Sequence, residues 1–151
     1  MKHLVAIVIA LFAFVCAEAQ TIALGERTPR LKKVKWLNAG IPDKYDFTYI
    51  EFIHSASLPC KASVERLLKM LETKSNVGVV LITHESASEI GDWVVRYVSP
   101  RVGVVVDDES VRRAFGVNYA PFAVIVDSKR RALWFGNPNK LEQQYLEDVI
   151  H

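Results

Sequence analysis

Ser57-Leu58-Pro59-Cys60-Lys61 sets a hydroxyl and a thiol three residues apart. If a helix opens there, Ser57 lies at its cap and Cys60 almost one turn inside. Backbone N–H groups at a helix start favour an anion and can lower a thiol pKa. A thiolate there could carry out thiol-disulfide exchange. A serine hydroxyl is a far weaker nucleophile near neutral pH and forms no disulfide. His54 precedes Ser57 by three residues across a strand end, with no third partner in view. Ser57 therefore reads as an N-cap rather than as a serine nucleophile. Cys60 has two readings. It is a small apolar core residue, or a thiol that pairs with another molecule. Glu51 stands six residues before Ser57. Its neighbours Ile50 and Phe52 face the opposite side, so alternation leaves open whether Glu51 is exposed or buried. His54 and His84 are expected to be structural or solvent-facing. No His, Cys, Asp or Glu pair has convincing metal spacing, and no glycine-rich phosphate loop is present, so no metal or cofactor is expected.

The elements that must position these residues follow from periodicity. Asp46 to His54 alternates and is rich in aromatic and β-branched residues, which predicts a strand. Lys61 to Lys74 carries Val64, Leu67, Leu68 and Leu71 at helical spacing. Val77 to Thr83 and Arg101 to Val106 are apolar runs, the mark of strands covered on both faces. Ser86 to Val98 reads helical, with Ile90, Val94 and Val98 four apart. Asp108 to Phe115 reads as a short helix capped by Asp107 or Asp108. Phe122 to Val126 and Arg131 to Phe135 are strands joined by the polar turn Asp127-Ser128-Lys129-Arg130. A last helix opens at Pro138 or Asn139. The order β-α-β-α-β-α-β-β-α predicts an α/β fold with a mixed sheet of about five strands and helices on both faces.

Three segments carry a resemblance. Phe52-Ile53-His54-Ser55-Ala56-Ser57-Leu58-Pro59-Cys60-Lys61 resembles the active-site segment of the thioredoxin-like superfamily. Val117-Asn118-Tyr119-Ala120-Pro121 resembles its cis-proline loop, and Trp134-Phe135-Gly136-Asn137-Pro138 the end of its hairpin. The extra strand and helix over Arg101 to Phe115, and the lead-in Gly25 to Pro42, resemble the exported TlpA/ResA-type branch. The resemblance implies a cis Pro121 facing the Ser57–Cys60 turn and a groove there that binds substrate backbone as an added strand. It implies that Cys60 holds the resolving position, and that Glu51 matches a buried acid assisting proton transfer, with a raised pKa. The departure is Ser57, which stands where that family has its attacking cysteine.

The first nineteen residues read as a secretory signal peptide: Lys2 and His3, an apolar run from Leu4 to Val15, then Ala17-Glu18-Ala19 before a cut at Gln20. Twelve apolar residues are too few for a bilayer-spanning helix, which needs about 20. Val15 before Cys16 argues against a lipoprotein. Cleavage leaves Cys60 as the single cysteine, although exported proteins normally use cysteines in pairs. The expected organisation is a signal peptide over 1–19, a lead-in over 20–43 and a thioredoxin-like domain over 44–151. The basic cluster Arg27 to Lys35 reads as a solvated, partly flexible lead-in. A net charge of +2 without interleaved aromatics argues against nucleic acid as a partner.

Two functions stay open on sequence. One is a non-catalytic module, periplasmic or secreted, that binds an exported peptide or protein through Ser57, Leu58, Pro59, Ala120 and Pro121. The other is a one-cysteine thiol protein in which Cys60, with Glu51, is catalytic. A monomer with no membrane anchor after cleavage is expected in either case.

Overall fold

The structure is a computed structural model and describes residues 22–151. The signal peptide, its cut site and Cys16 lie outside the described residues. Six strands form one sheet in the order β1-β4-β3-β2-β5-β6. They are β1 (Lys35–Trp36), β2 (Phe47–Phe52), β3 (Val77–Ile82), β4 (Val102–Val106), β5 (Phe122–Asp127) and β6 (Ala132–Gly136). Strands β2, β3 and β4 run parallel, whereas β1, β5 and β6 pair antiparallel with their neighbours. The class is the expected α/β with a mixed sheet. Every residue of β3 and β4 is buried, as apolar strands covered on both faces should be.

The helices are α1 (Leu58–Met70), α2 (Asp92–Tyr97), α3 (Glu109–Ala114) and α4 (Gln143–Val149). Helix α1 buries Cys60, Val64 and Leu67, one stripe at helical spacing. They pack on a core with Tyr49, Ile53, Val79, Leu81, Val94 and Leu146. The opposite sheet face gathers Ile50, Phe52, Val80, Ile82, Val105 and Val124 around Val111 and Phe115.

Two expected helices are shorter than their spacing implied. The helix expected over Ser86 to Val98 forms only over Asp92–Tyr97. Upstream, the Glu89 carboxylate accepts from the Ser86 N–H and hydroxyl, which closes a single turn. Gly91 is then extended. Ile90 and Val94 still both reach the core, so the spacing reported a buried face and not a continuous helix. The last helix does not open at Pro138 or Asn139. Those residues form a 3-10 turn (Pro138–Lys140), and Leu141 is extended before α4 begins.

The lead-in is part of the sheet's packing rather than a solvated tail. Lys35–Trp36 is a sixth strand paired with Val105 and Val106. The Gly25 N–H donates to the Ala132 carbonyl, and Ala132 N–H to the Glu26 carbonyl. Ile22, Leu31, Val34, Trp36 and Ile41 pack against the second core. Two glycines in the central strands make room for this cover. A Cβ at Gly103 would lie 2.6 Å from the Trp36 ring, and one at Gly78 2.6 Å from the Tyr45 ring. A strand glycine often marks such a close approach.

Candidate functional site

The site lies at the end of the sheet where β2 stops and α1 begins. Ser57 is the N-cap of α1, with extended backbone, and its Oγ accepts from the Cys60 N–H at 3.3 Å. Pro59, whose missing N–H costs nothing in a first helical turn, follows Leu58. The side chains of Leu58 and Pro59 point outward, and Leu58 is 79% exposed. Cys60 points inward and is fully buried. Its Sγ accepts from the His54 N–H at 3.5 Å. Burial pushes the Cys60 thiol up, and the Ser57 and His54 contacts only partly offset this.

Glu51 is fully buried. Period two along β2 puts Tyr49, Glu51 and Ile53 on the α1 side, while Ile50 and Phe52 face the second core. Both faces are dry, which alternation alone could not say. Leu81 and Ala123 flank Glu51 in the register. The Tyr49 hydroxyl donates to Glu51 Oε2 at 2.7 Å, and Ser63 Oγ contacts Oε1. Desolvation raises the Glu51 pKa to about 7, against the lowering effect of both hydroxyls. Burial likewise holds the Tyr49 phenol well above its ordinary value. Ser63 Oγ also lies 2.8 Å from the Cys60 carbonyl. A hydroxyl has one proton, so Ser63 shares it between Glu51 Oε1 and the Cys60 carbonyl while Glu51 is ionised, and accepts from Glu51 when that acid is protonated. Burial therefore favours the protonated acid, and Ser63 can serve either form.

The facing loop reaches the same end. Phe122 is opposite Phe52 in the sheet, and the preceding Ala120–Pro121 peptide bond is cis. Pro121 is buried and Ala120 half-buried, with Ala120 packed on the same core as Cys60. Asn139 closes the third side by donating from Nδ2 to the Pro59 carbonyl at 3.1 Å. The sequence-predicted residues Ser57, Leu58, Pro59, Cys60, Ala120 and Pro121 therefore meet at one end of the sheet, with Glu51 beneath.

Sequence reading missed a second polar cluster beside this turn. The Glu85 carboxylate accepts from the Ser55 N–H (2.8 Å), Ser55 Oγ (2.5 Å) and Thr83 Oγ (2.8 Å). These bonds outweigh its desolvation and lower its pKa. Trp93 Nε1 donates to the Ser55 carbonyl. The cluster fixes the loop between β2 and α1. Glu85 also lies 3.8 Å from His54 Nδ1, which supplies the acid missing from a Ser-His-acid set. The geometry is nonetheless wrong for one. His54 Nδ1 accepts from the Ala56 N–H, Ser55 rather than Ser57 is bonded to Glu85, and Ser57 Oγ is engaged with Cys60. The remaining signal in sequence was Thr83-His84-Glu85 at the end of a buried strand, too short to separate from an ordinary loop. Among the described residues, no group of three His, Cys, Asp or Glu side chains could hold a metal ion.

No protein-family model and no curated protein sequence matches this chain. Solved structures do. A thioredoxin-like protein solved in its oxidised form shares 18% identity, with TM-score 0.66 over 85% of this chain and 97% of that one. The thioredoxin domain of a Bacteroides vulgatus thiol-disulfide oxidoreductase shares 12%, with TM-score 0.64 over 86% and 99%. A thiol:disulfide interchange protein of Chlorobium tepidum, DsbE, shares 19%, with TM-score 0.62 over 85% and 99%. At such identities the likeness establishes architecture: the chain has the thioredoxin-like fold.

A buried thiol with a raised pKa should be inert. Native Cys60 should react with a thiol reagent about a thousandfold more slowly than in denaturant, because labelling then waits on local opening. Labelling rate against pH on folded protein measures this. Fast labelling near neutral pH with a low apparent pKa would mean an exposed, activated thiol.

Proposed function

We propose that this protein is an exported thioredoxin-fold binding module without dithiol oxidoreductase activity. It takes an extended peptide segment in the groove between Ser57-Leu58-Pro59 and Ala120-Pro121. The carrying observation is the pair of roles at the helix start. Ser57 Oγ serves as the cap of α1, and Cys60 Sγ is buried beneath it. Neither is presented as a nucleophile. What is presented is Leu58, Pro59 and, on the facing loop, the exposed Tyr119 ring. Export, to a periplasm or beyond the cell, is supported by the three-part pattern of the first nineteen residues. A similar fold occurs in a secreted disulfide oxidoreductase of Mycobacterium tuberculosis (16% identity, TM-score 0.55 over 70% of this chain and 80% of that one).

A second reading, one-cysteine thiol exchange through Cys60, is favoured by one contact. The His54 N–H aimed at Sγ is a donor that would stabilise a thiolate once formed.

The test uses a fluorescent, reduced and alkylated insulin B chain, which offers extended backbone but no thiol. Saturable binding measured by anisotropy is expected. Leu58→Asp should weaken it about tenfold or more, as loss of an exposed apolar anchor does. Absence of saturable binding, or binding indifferent to Leu58→Asp, would remove the groove reading. Capture of the same chain only when its cysteines carry a mixed disulfide, with release of the small thiol and loss of capture in Cys60→Ala, would favour exchange through Cys60.

A further inference from the structure

We propose that the lead-in and the β5–β6 turn together form a docking face for the anionic surface of a lipid bilayer. This face is separate from the groove, and the proposal does not depend on the groove's function. Glu26 to Lys33 carries four cations and one carboxylate, and Asp127 to Arg131 three cations and one carboxylate. The structure joins the two segments. The Thr28 N–H donates to the Arg130 carbonyl at 2.9 Å, the Arg130 guanidinium donates back to the Thr28 carbonyl, and Arg27 bridges to Arg131. Five net positive charges thus lie along the β5–β6 turn and the lead-in that runs from it across the sheet face to β1, in a chain whose total is +2; the rest of the molecule is net negative.

Packing fixes which way these charges point. Leu31 and Val34 pack inward on the second core, so Arg30, Lys32 and Lys33 are left on the outside, where they are exposed. Among the described residues, Arg27, Arg30, Lys32, Lys33 and Lys129 make no ion pair. Cations in excess over their neighbouring carboxylates, Glu26 and Asp127, repel one another, and a sheet of phosphate headgroups relieves that repulsion. Two features favour a bilayer over a nucleic acid. Leu24, in the turn that begins the lead-in, is 63% exposed and could enter the headgroup boundary as the cations engage phosphates. No aromatic side chain is interleaved with the cations, as nucleic-acid stacking would want. The geometry also leaves the groove open. Strand β5 begins at Phe122 beside the groove and ends at Asp127 in the basic turn, so Arg27 and the turn occupy the opposite end of the sheet, whereas Lys32 and Lys33 approach the groove end only at the β1 edge, three strands from β2.

The experiment titrates the full-length protein with vesicles of phosphatidylcholine alone and of phosphatidylcholine mixed with phosphatidylglycerol, at about 0.1 M salt, where screening is moderate. The apolar run Leu4 to Val15 affects both vesicle types alike, and the basic start at Lys2 is common to wild type and variant, so the readout is the ratio of the two partition coefficients and its change on substitution. The ratio should favour the anionic vesicles about tenfold or more and collapse at high salt. Arg30→Gln with Lys32→Gln should lower anionic partition by about fivefold per cation and leave neutral partition unchanged. Both are exposed surface positions, and an unchanged thermal melt confirms folding. Equal partition into the two vesicles, or a ratio unmoved by the double variant, would overturn the proposal. Tighter binding to a duplex oligonucleotide than to the anionic vesicles at the same salt would overturn it too, and assign the face to nucleic acid.

Discussion

Glu51→Gln should stabilise the protein by about 3 kcal/mol above pH 7 and leave it nearly unchanged below pH 4.5. In the unfolded chain Glu51 ionises near its ordinary value of 4.5, but in the fold only near 7. Between those values the folded state holds a proton that the unfolded state has released. Stability must therefore fall as pH rises through the window, and above it the full cost of the buried charge is felt. Glutamine cannot ionise. Its amide can donate to Ser63 and accept from Tyr49, which reproduces the pattern of the protonated acid. Glu85 and Asp127, whose pKa values are lowered, act with the opposite sign and lose their contribution only as pH falls below the ordinary carboxyl range. They are common to both proteins and cancel in the difference. Denaturant melts of wild type and variant across this range give the answer. Parallel curves would mean that Glu51 is not held neutral in the fold.

That buried acid also marks where sequence reading stops. The start of α1 was legible because Ser57 and Pro59 are chemically suited to a cap and a first turn, and the structure uses both so. The order of strands and helices was legible because β3 and β4 are short apolar runs between amphipathic segments. Glu51 was undecided because alternation separates two faces but does not say whether each is covered. Here the second cover comes from α3 and from the lead-in, and the lead-in is contributed by residues far from helical or strand periodicity. Strand β1 escaped for the same reason. It is two residues long, one of them a lysine, and its pairing with Val105 and Val106 and the match of Trp36 to Gly103 leave no periodic mark in the sequence. Glu85 escaped because its partners Ser55 and Thr83 come from two different strand ends that only the parallel pairing of β2 with β3 brings together.

The variant Ser57→Cys should convert an inert protein into an oxidisable one. Wild type should accelerate the reduction of insulin by dithiothreitol no more than buffer does. A sulfur at position 57 would replace the oxygen that now accepts from the Cys60 N–H at 3.3 Å. At that N-cap the helix start favours a thiolate, so the introduced thiol should ionise more readily than Cys60 does. Side chains three residues apart at a helix start have Cβ atoms about 5–6 Å apart, close enough for a small local adjustment to bring two sulfurs into bonding geometry. The attacking thiolate would form a mixed disulfide with insulin, and Cys60 would resolve it by displacing the insulin thiolate. Resolution requires Cys60 to lose its proton. Glu51, poised near pH 7 and in contact with Ser63, which also lies against the Cys60 carbonyl, is a buried group whose charge acts on the thiol and which could share the proton. The turnover gained with Ser57→Cys should therefore be slowed when Glu51→Gln is added, and the oxidised form should vanish when Ser57→Cys is combined with Cys60→Ala. Mass spectrometry after diamide treatment reads the intramolecular disulfide directly, and the insulin assay reads its use. A wild-type protein that turns insulin over, with activity abolished by Cys60→Ala, would overturn the binding-module reading in favour of the one-cysteine enzyme. A Ser57→Cys variant that folds but never forms the internal disulfide would show that Cys60 lies too deep to serve as a resolving thiol.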